Sequence, residues 1–387
     1  MVETRFWLGV GAALALLVGH AATAQDFPEP LPAEPVPAVE SLDVPYADSV
    51  ALIHDFSFNA LVDAAYYVID TATQEMLGLV SASHFASATW SKARSEIYLA
   101  ETYYSRGTRG DRSDLITIYD MVNLQRTIEI EIPKKRAAIV AMKPALAITA
   151  SGKFLLSFNM NPGTSVSVVD LDSRSFVGEI STPGCSLVYP TRKHDFFMLC
   201  GDGALLSVSL NDDGAEVARQ RSDAFIDIDN NPLSEKSAKV GDKWHFVSYL
   251  GDIQPISAGR RGPRPEKAWP ATTADERAAN WRPAGWHWTA GGSKNRLWVG
   301  MTPNGYDGSH KDPATEVWLF DTRRKKRLQR IELKTMALSI DVTNEPEPKL
   351  LVVNIEGGLD VYDGLNGDFQ HTVNQLGATP YVVHRLQ

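Results

Sequence analysis

An apolar, alternating run that ends in aspartate, followed by a polar turn and a second β-rich run, recurs along this chain and constrains it more than any other feature. The clearest copies are YYVIDTATQEMLGLV (Tyr66 to Val80), LITIYDMVNLQRTIEIEI (Leu115 to Ile132), VSVVDLDSRSFVGEI (Val166 to Ile180), EVWLFDTRRKKRLQRIEL (Glu316 to Leu333) and LDVYDGLNGDFQHTV (Leu359 to Val373). Two weaker copies, LLSVSLNDDGAEVARQRS (Leu205 to Ser222) and IQPISAGR (Ile253 to Arg260), bring the number to seven. The anchoring aspartates are Asp70, Asp120, Asp170, Asp321 and Asp363. The first two intervals are both 50 residues, and the 151 residues from Asp170 to Asp321 leave room for the two degenerate copies. Each later copy is preceded by a further apolar run opened by a turn signal, such as SGKFLLSFNM or KHDFFMLCGDG. A multi-strand unit repeating every ~40–50 residues is the signature of a β-propeller rather than a sandwich. The expected fold is therefore all-β, a seven-bladed β-propeller.

A ring of blades has to close, or its free sheet edges pair with other chains. The C-terminal PYVVHRL is apolar enough for an inner strand, and Val50 to Phe56 enters with no strand before it. The two ends are expected to share one blade. In one blade the anatomy reads Leu187 to Tyr189 as inner strand, Phe196 to Cys200 as second, Leu205 to Leu210 as third and Ala215 to Gln220 as outer. Cys185 and Cys200, the only cysteines, then fall on neighbouring antiparallel strands and are expected to form a structural disulfide. A nucleophilic thiol is the alternative.

The chain opens with Arg5, an apolar run from Trp7 to Gly19 and the small-residue site Ala22-Thr23-Ala24. That pattern predicts an export signal (1–24) cleaved after Ala24, and an oxidising compartment suited to a disulfide. Residues 25–46, with FPEPLPAEPVP, predict an extended, acidic, proline-rich arm. Residues 47–387 are left for the propeller. The formal net charge of −9 argues against polyanion binding as the main task. The six cations within Arg323 to Arg330 are accordingly expected on a turn and an outer strand, where they discourage edge pairing.

Catalytic motifs of the usual kinds are missing: there is no G-x-S-x-G, phosphate-cradling glycine loop, H-E-x-x-H or C-x-x-C. The stretch Asp307-Gly308-Ser309-His310-Lys311-Asp312 fails the calcium-loop pattern, and Lys311 would oppose a cation. No catalytic or metal-binding residue is assigned. The turn aspartates are expected to accept backbone N–H groups rather than to act as paired acids. Trp298 and Trp318 are expected in inter-blade packing. Trp281, Trp286 and Trp288 lie in the longest insertion, Arg260 to His287, where exposure at an interface and packing are both open. A second insertion spans Thr302 to Ala314.

Taken together, the export signal with its acidic arm, YYSRGTRGDRSDLITIYD (Tyr103 to Asp120), GCSLVYPTRKHDFFMLCGDG (Gly184 to Gly203), NWRPAGWHW (Asn280 to Trp288) and HTVNQLG (His371 to Gly377) resemble the heavy subunit of the quinoprotein amine dehydrogenases. The resemblance covers essentially the whole mature chain. It implies a periplasmic heterotetramer of two heavy and two light subunits. The light subunit would carry tryptophan tryptophylquinone and the catalytic base, and a blue copper protein of the azurin or amicyanin type would accept the electrons. The stretch Trp298 to Asp321 is similar to the aromatic-amine branch rather than the methylamine branch, implying tyramine- or phenethylamine-type substrates. Phe85, in SASHFASATW, matches the family phenylalanine that lines the substrate channel, although the methylamine branch has glycines where Ser83 and His84 stand. Cys185 and Cys200 match the family's heavy-chain disulfide. The competing expectations are a methylamine dehydrogenase heavy subunit and a secreted propeller that binds a ligand or protein without redox function.

Overall fold

In the computed structural model, residues 40–42, 46–137, 141–259 and 262–386 are described. The expected export signal and the arm up to Val39 lie outside the described residues. What remains is an all-β propeller. The first sheet joins the two ends of the chain in the order Pro380–Arg385, Val50–Asp55, Ala65–Asp70, Glu75–Ser81. The next three run in simple chain order, from Ser87–Ser91 to Arg126–Ile132, from Leu146–Ile148 to Ser175–Ser181, and from Cys185–Pro190 to Glu216–Arg221. The fifth has Ala238–Val240, Lys243–Val247 and Asp252–Ser257, with Arg264–Pro265 and Trp269–Pro270 both pairing with the last of these.

A seven-bladed propeller was expected, and this is corrected: the described residues form six sheets, five of them single blades and the sixth eight-stranded. The cause is local. Lys326–Val342 is one strand of 17 residues, whose first half pairs with Ala314–Asp321 and whose second half pairs with Lys349–Asn354. Between Leu328 and Val342 no Gly, Pro, Asn or Asp–Gly pair supplies a turn, so nothing in the covalent chain breaks the extended backbone.

The repeated aspartates explain the hairpins. Asp70, Asp120, Asp170, Asp321 and Asp363 each place Oδ1 2.7–3.1 Å from backbone N–H groups two or three residues on, as in Val122 and Asn123 donating to Asp120. Asn211 does the same for the weaker fourth-sheet copy, accepting from Asp213 and Ala215. In all six hairpins the register slips by one residue just before the turn, between Val168 and Val169 for instance. Four residues after each aspartate the backbone is left-handed, at Gln74, Leu124, Arg174, Lys325 and Gly367. Only the last is glycine. A side chain at the other four carries a cost of about 1 kcal/mol, which the bulged turn geometry imposes.

Along each strand alternate residues face neighbouring sheets. Burial in the inner strand Cys185–Pro190 and in the second strands Phe154–Asn159 and Lys349–Asn354 is nearly continuous, as expected for strands covered on both faces. Outer strands such as Glu216–Arg221 are mostly exposed. Cys185 and Cys200 are directly paired across two strands and bonded, as the spacing suggested. Trp298 and Trp318 are fully buried between sheets. Leu42 and Tyr46, near the start of the described chain, bond to the backbone of Val122 and Met121 and so sit on the second sheet.

Two outcomes follow. Replacing exposed, left-handed Gln74 by glycine is expected to raise stability by up to about 1 kcal/mol, while valine there lowers it, as read by urea midpoints. His245 is buried and its ring is pushed down to about 4 by that burial. Unfolded histidine titrates near 6.5, so the neutral ring's contribution is complete above about pH 6.5 and is lost as pH falls towards 4, by about 3 kcal/mol. Urea unfolding of wild type and His245→Leu, compared at about pH 7.5 and about pH 4.5, should show a loss of stability that is smaller in the variant by about 2–3 kcal/mol, since His54, His287 and His384, which burial also depresses, act in both proteins.

Candidate functional site

The hairpin turns described above occupy one end of the propeller. The opposite end gathers the loops that connect one sheet to the next, and there five aromatic rings meet. Phe56 and Phe58 follow the strand Val50–Asp55, Phe85 sits between the first two sheets, Tyr381 opens the C-terminal strand and Trp286 precedes Thr289–Gly292. Phe56 is the floor, buried and 5.0 Å from Tyr381 and 5.7 Å from Phe85 between ring centroids. Phe58 stands over it, 46% exposed, against Phe85 and Tyr381. Trp286 lies 5.7 Å beyond Tyr381. Phe85, Trp286 and Tyr381 are each half-buried. The result is an apolar cluster of adjoining rings at this end, with Phe58 its most exposed member.

Phe85 is held with unusual force for a loop residue. Its backbone is left-handed, at φ 44°, which a phenylalanine adopts only when its surroundings impose it. The guanidinium of Arg136 donates to the carbonyls of Phe85 at 2.9 Å and His84 at 3.1 Å, and its Nε donates to Thr102 Oγ1 at 3.0 Å. Ser83 N donates to Glu101 Oε1 at 2.8 Å, and Ser83 Oγ accepts from Thr102 N at 2.9 Å. Behind Arg136, Asp114 accepts from the Arg136 backbone N–H and the Thr102 hydroxyl and is gripped by Arg112 through two bonds of 2.8 Å. Arg136 is 3% exposed, and burial pushes it down to about 10, so it stays charged at neutral pH. Burial raises the Glu101 carboxyl against the hydrogen bonds of Thr117, Ser83 and Tyr103. A buried guanidinium with carboxylates on both sides is a rigid clamp on the loop that presents Phe85.

The other side of the same end is aromatic and cationic. The Lys236 ammonium lies 4.4 Å from the Trp288 ring centroid and 4.9 Å from that of Trp286, within cation–π range, and burial lowers its pKa. His310 stacks on Tyr249 at 3.9 Å. Trp288 is buried at 1% exposure, so the open expectation of an exposed tryptophan fails there, and Trp286 is the one that joins the aromatic cluster. Trp281 packs 5.1 Å from Trp318, with the Arg330 guanidinium 4.6 Å from its ring.

That contact revises the cationic stretch. Arg323 to Lys326 are exposed on the turn, as expected, but Arg327 and Arg330 reach Glu276 in the short helix Ala274–Ala278 at 2.7 and 3.3 Å, and Arg330 also reaches Glu316 at 2.7 Å. Thr273 caps that helix through a reciprocal pair of bonds with Glu276. The two arginines thus fasten the long insertion to the sheet. The stretch Asp307 to Asp312 forms a single turn at Ser309–Lys311, and among the described residues no group of three or more His, Cys, Asp or Glu could hold a metal ion.

The sequence singled out Phe85 but not the residues that hold its loop. Arg136 reads as one of three cations in PKKRAAI, a context typical of a solvated loop, and only burial in the fold singles it out. A signal did exist in Asp114 and Arg112, whose opposite charges sit two apart in an otherwise alternating strand and so share one face.

The profile of the methylamine dehydrogenase heavy chain (MADH) family matches residues 49–387. The methylamine dehydrogenase heavy chain of Methylorubrum extorquens is 28% identical over 384 residues, covering 97% of this chain and 89% of its own. That of Methylophilus methylotrophus is 28% identical over 332 residues, covering 84% and 80%. Among solved structures, a putative 6-phosphogluconolactonase from Bacteroides fragilis superposes with a TM-score of 0.57 at 11% identity, covering 87% of this chain and 98% of that one. A dihydro-heme d1 dehydrogenase superposes at 0.54 with 14% identity, covering 88% and 66%. At such identities these structures speak for the fold alone.

Removing the clamp is expected to be costly. Arg136→Met leaves Thr102 Oγ1 and the carbonyls of His84 and Phe85 without their buried donor, while Asp114 keeps Arg112, and should destabilise by about 3 kcal/mol in urea unfolding. Phe85→Ala, at a half-buried position, should cost much less.

Proposed function

The chain belongs to the methylamine dehydrogenase heavy chain family, and from that premise we propose that it is the heavy subunit of a periplasmic quinoprotein amine dehydrogenase acting on primary aromatic amines of the tyramine or phenethylamine type. The reading rests on one conjunction: a family match that spans the propeller, and a cluster of five aromatic rings at the end where Phe85 is clamped. In this reading the chain supplies no catalytic group. Tryptophan tryptophylquinone and the catalytic base belong to a light subunit in a two-plus-two heterotetramer, and a blue copper protein, azurin or amicyanin in type, takes the electrons. The quinone supplies the carbonyl electrophile and the electron sink for amine oxidation. This chain's task is to dock the light subunit, to line the approach to its active site with Phe85, and to exclude water there.

An apolar rim of offset and edge-on rings favours an aryl group over a methyl, because burying a ring against aromatic faces gains both area and quadrupole contacts. Export by the segment ending at Ala24 places such a complex where copper proteins and disulfides are both at home. We read the eight-stranded sheet as two blades sharing the strand Lys326–Val342, which restores a ring of seven.

A second reading is favoured by the relatives themselves, since both are named methylamine dehydrogenase heavy chains. A steady-state amine panel on the complex copurified from the native source separates the two. The aromatic reading expects a visible quinone band and kcat/KM for tyramine or phenethylamine about tenfold or more above methylamine; the reverse ranking establishes the methylamine reading. Phe85→Ala should shrink the ratio between bulky and small amines about tenfold. A colourless protein without amine-dependent dye reduction, even when coexpressed with a short cysteine-rich exported neighbour, refutes both.

A further inference from the structure

The inner strands of the sheets enclose an axial cavity of about 300 Å³, distinct from the aromatic cluster. At about 30 Å³ per water, it has room for a small ion with part of its hydration shell. Its charge is unbalanced. Lys143, Lys239 and Arg385 line it against a single carboxylate, Asp341. That carboxylate is already committed: Lys143 Nζ donates to it at 2.7 Å, Arg385 Nε lies 3.9 Å from Oδ1, and the Arg385 and Val342 backbone N–H groups also point at it. Lys239 has no carboxylate within ion-pair distance among the described residues, with Asp242 acting on it only from farther off; its ammonium rests 5.9 Å from the centroid of Trp244, another lining residue.

Two polar side chains on the wall are also without protein partners. His384 is 5% exposed and lies edge-on to Tyr66 and Trp90, and no described group hydrogen-bonds its ring. Ser237 Oγ is buried with no partner. Unpaired charge and unmet donors in a partly enclosed, low-dielectric space are costly unless an anion satisfies them. The same wall offers no second carboxylate to do so.

We propose that the axial channel binds a small tetrahedral oxyanion of the phosphate or sulfate class, with Lys239 as its principal charge partner and Ser237 and His384 completing its hydrogen bonds. The site makes the ring a receptor at its centre as well as at its end. Its ligand sits among inner strands contributed by different sheets, so occupancy ties those sheets together. Nothing in this assignment depends on amine oxidation.

Calorimetric titration of the protein purified from its native source, with inorganic phosphate and separately with sulfate, tests it at constant ionic strength in sodium chloride. Saturable binding of one anion per chain is expected, with a rise in Tm beyond the chloride control. Because both anions also stabilise proteins by exclusion, the decisive comparison is with variants. Lys239→Gln should bind about tenfold more weakly with its Tm in chloride unchanged, Ser237→Ala should move in the same direction, and Lys239→Arg should retain binding. Equal heats in phosphate and chloride, or undiminished binding by both Lys239→Gln and Ser237→Ala, overturns the proposal.

Discussion

Everything on the axis of this molecule depends on the pairing of its two chain ends. Val50–Asp55 lies between Ala65–Asp70 on one side and the C-terminal strand Pro380–Arg385 on the other. Asp55 secures the junction, because its carboxylate accepts from Ser57, Ala378 and Thr379 and so binds both sides of the seam. Without that seam the first sheet would lack its inner strand, and an open edge would face the axis. The closed ring converts a repeated sequence pattern into a channel wall. It also brings Phe56 from one end of the chain against Tyr381 from the other, so the aromatic cluster itself straddles the seam.

The features legible in the sequence were those set by local chemistry. The turn aspartates could be read because a carboxylate that accepts backbone N–H groups two and three residues on is a property of a few consecutive residues, as at Asp170 and Asp363. The disulfide was readable because opposed positions on neighbouring strands follow from strand order. Asn211 escaped the aspartate count only because an amide oxygen accepts the same bonds as a carboxylate. What the chain did not disclose was set by its neighbours. The outer strand of the sixth copy runs on past Leu333 because the following residues carry no breaker and the next strand offers partners in register. Trp288 was open between interface and core until Lys236 and His310 were placed beside it. Arg136 is one of three adjacent cations in the sequence and becomes distinct only when Thr102 and two loop carbonyls converge on it.

The two ends of the propeller are built by different physics. One is a set of short bulged hairpins, each satisfied within itself by an aspartate or asparagine, and each tolerant of charge such as Arg323 to Lys326. The other end consists of connections between sheets, whose backbone groups cannot be satisfied locally and are met by buried side chains instead. Arg136, Glu101 and Asp114 serve that need at the first connection, and Arg327 and Arg330 hold the long insertion through Glu276. Long-range bonding of this kind fixes loop conformation, which is why a phenylalanine in a left-handed conformation persists there.

The 17-residue strand Lys326–Val342 has a mechanical consequence for the ring. Other neighbouring sheets meet through side chains and a connecting loop, so they can slide or part slightly as the ring breathes. Across this one boundary the backbone itself is continuous and hydrogen-bonded on both flanks. The ring therefore has one welded joint among softer seams, and its thermal motion is distributed unevenly. Asp341, near the end of the weld, is anchored to the stiffest part of the wall, while Arg385, which it faces, belongs to the seam where the chain ends meet.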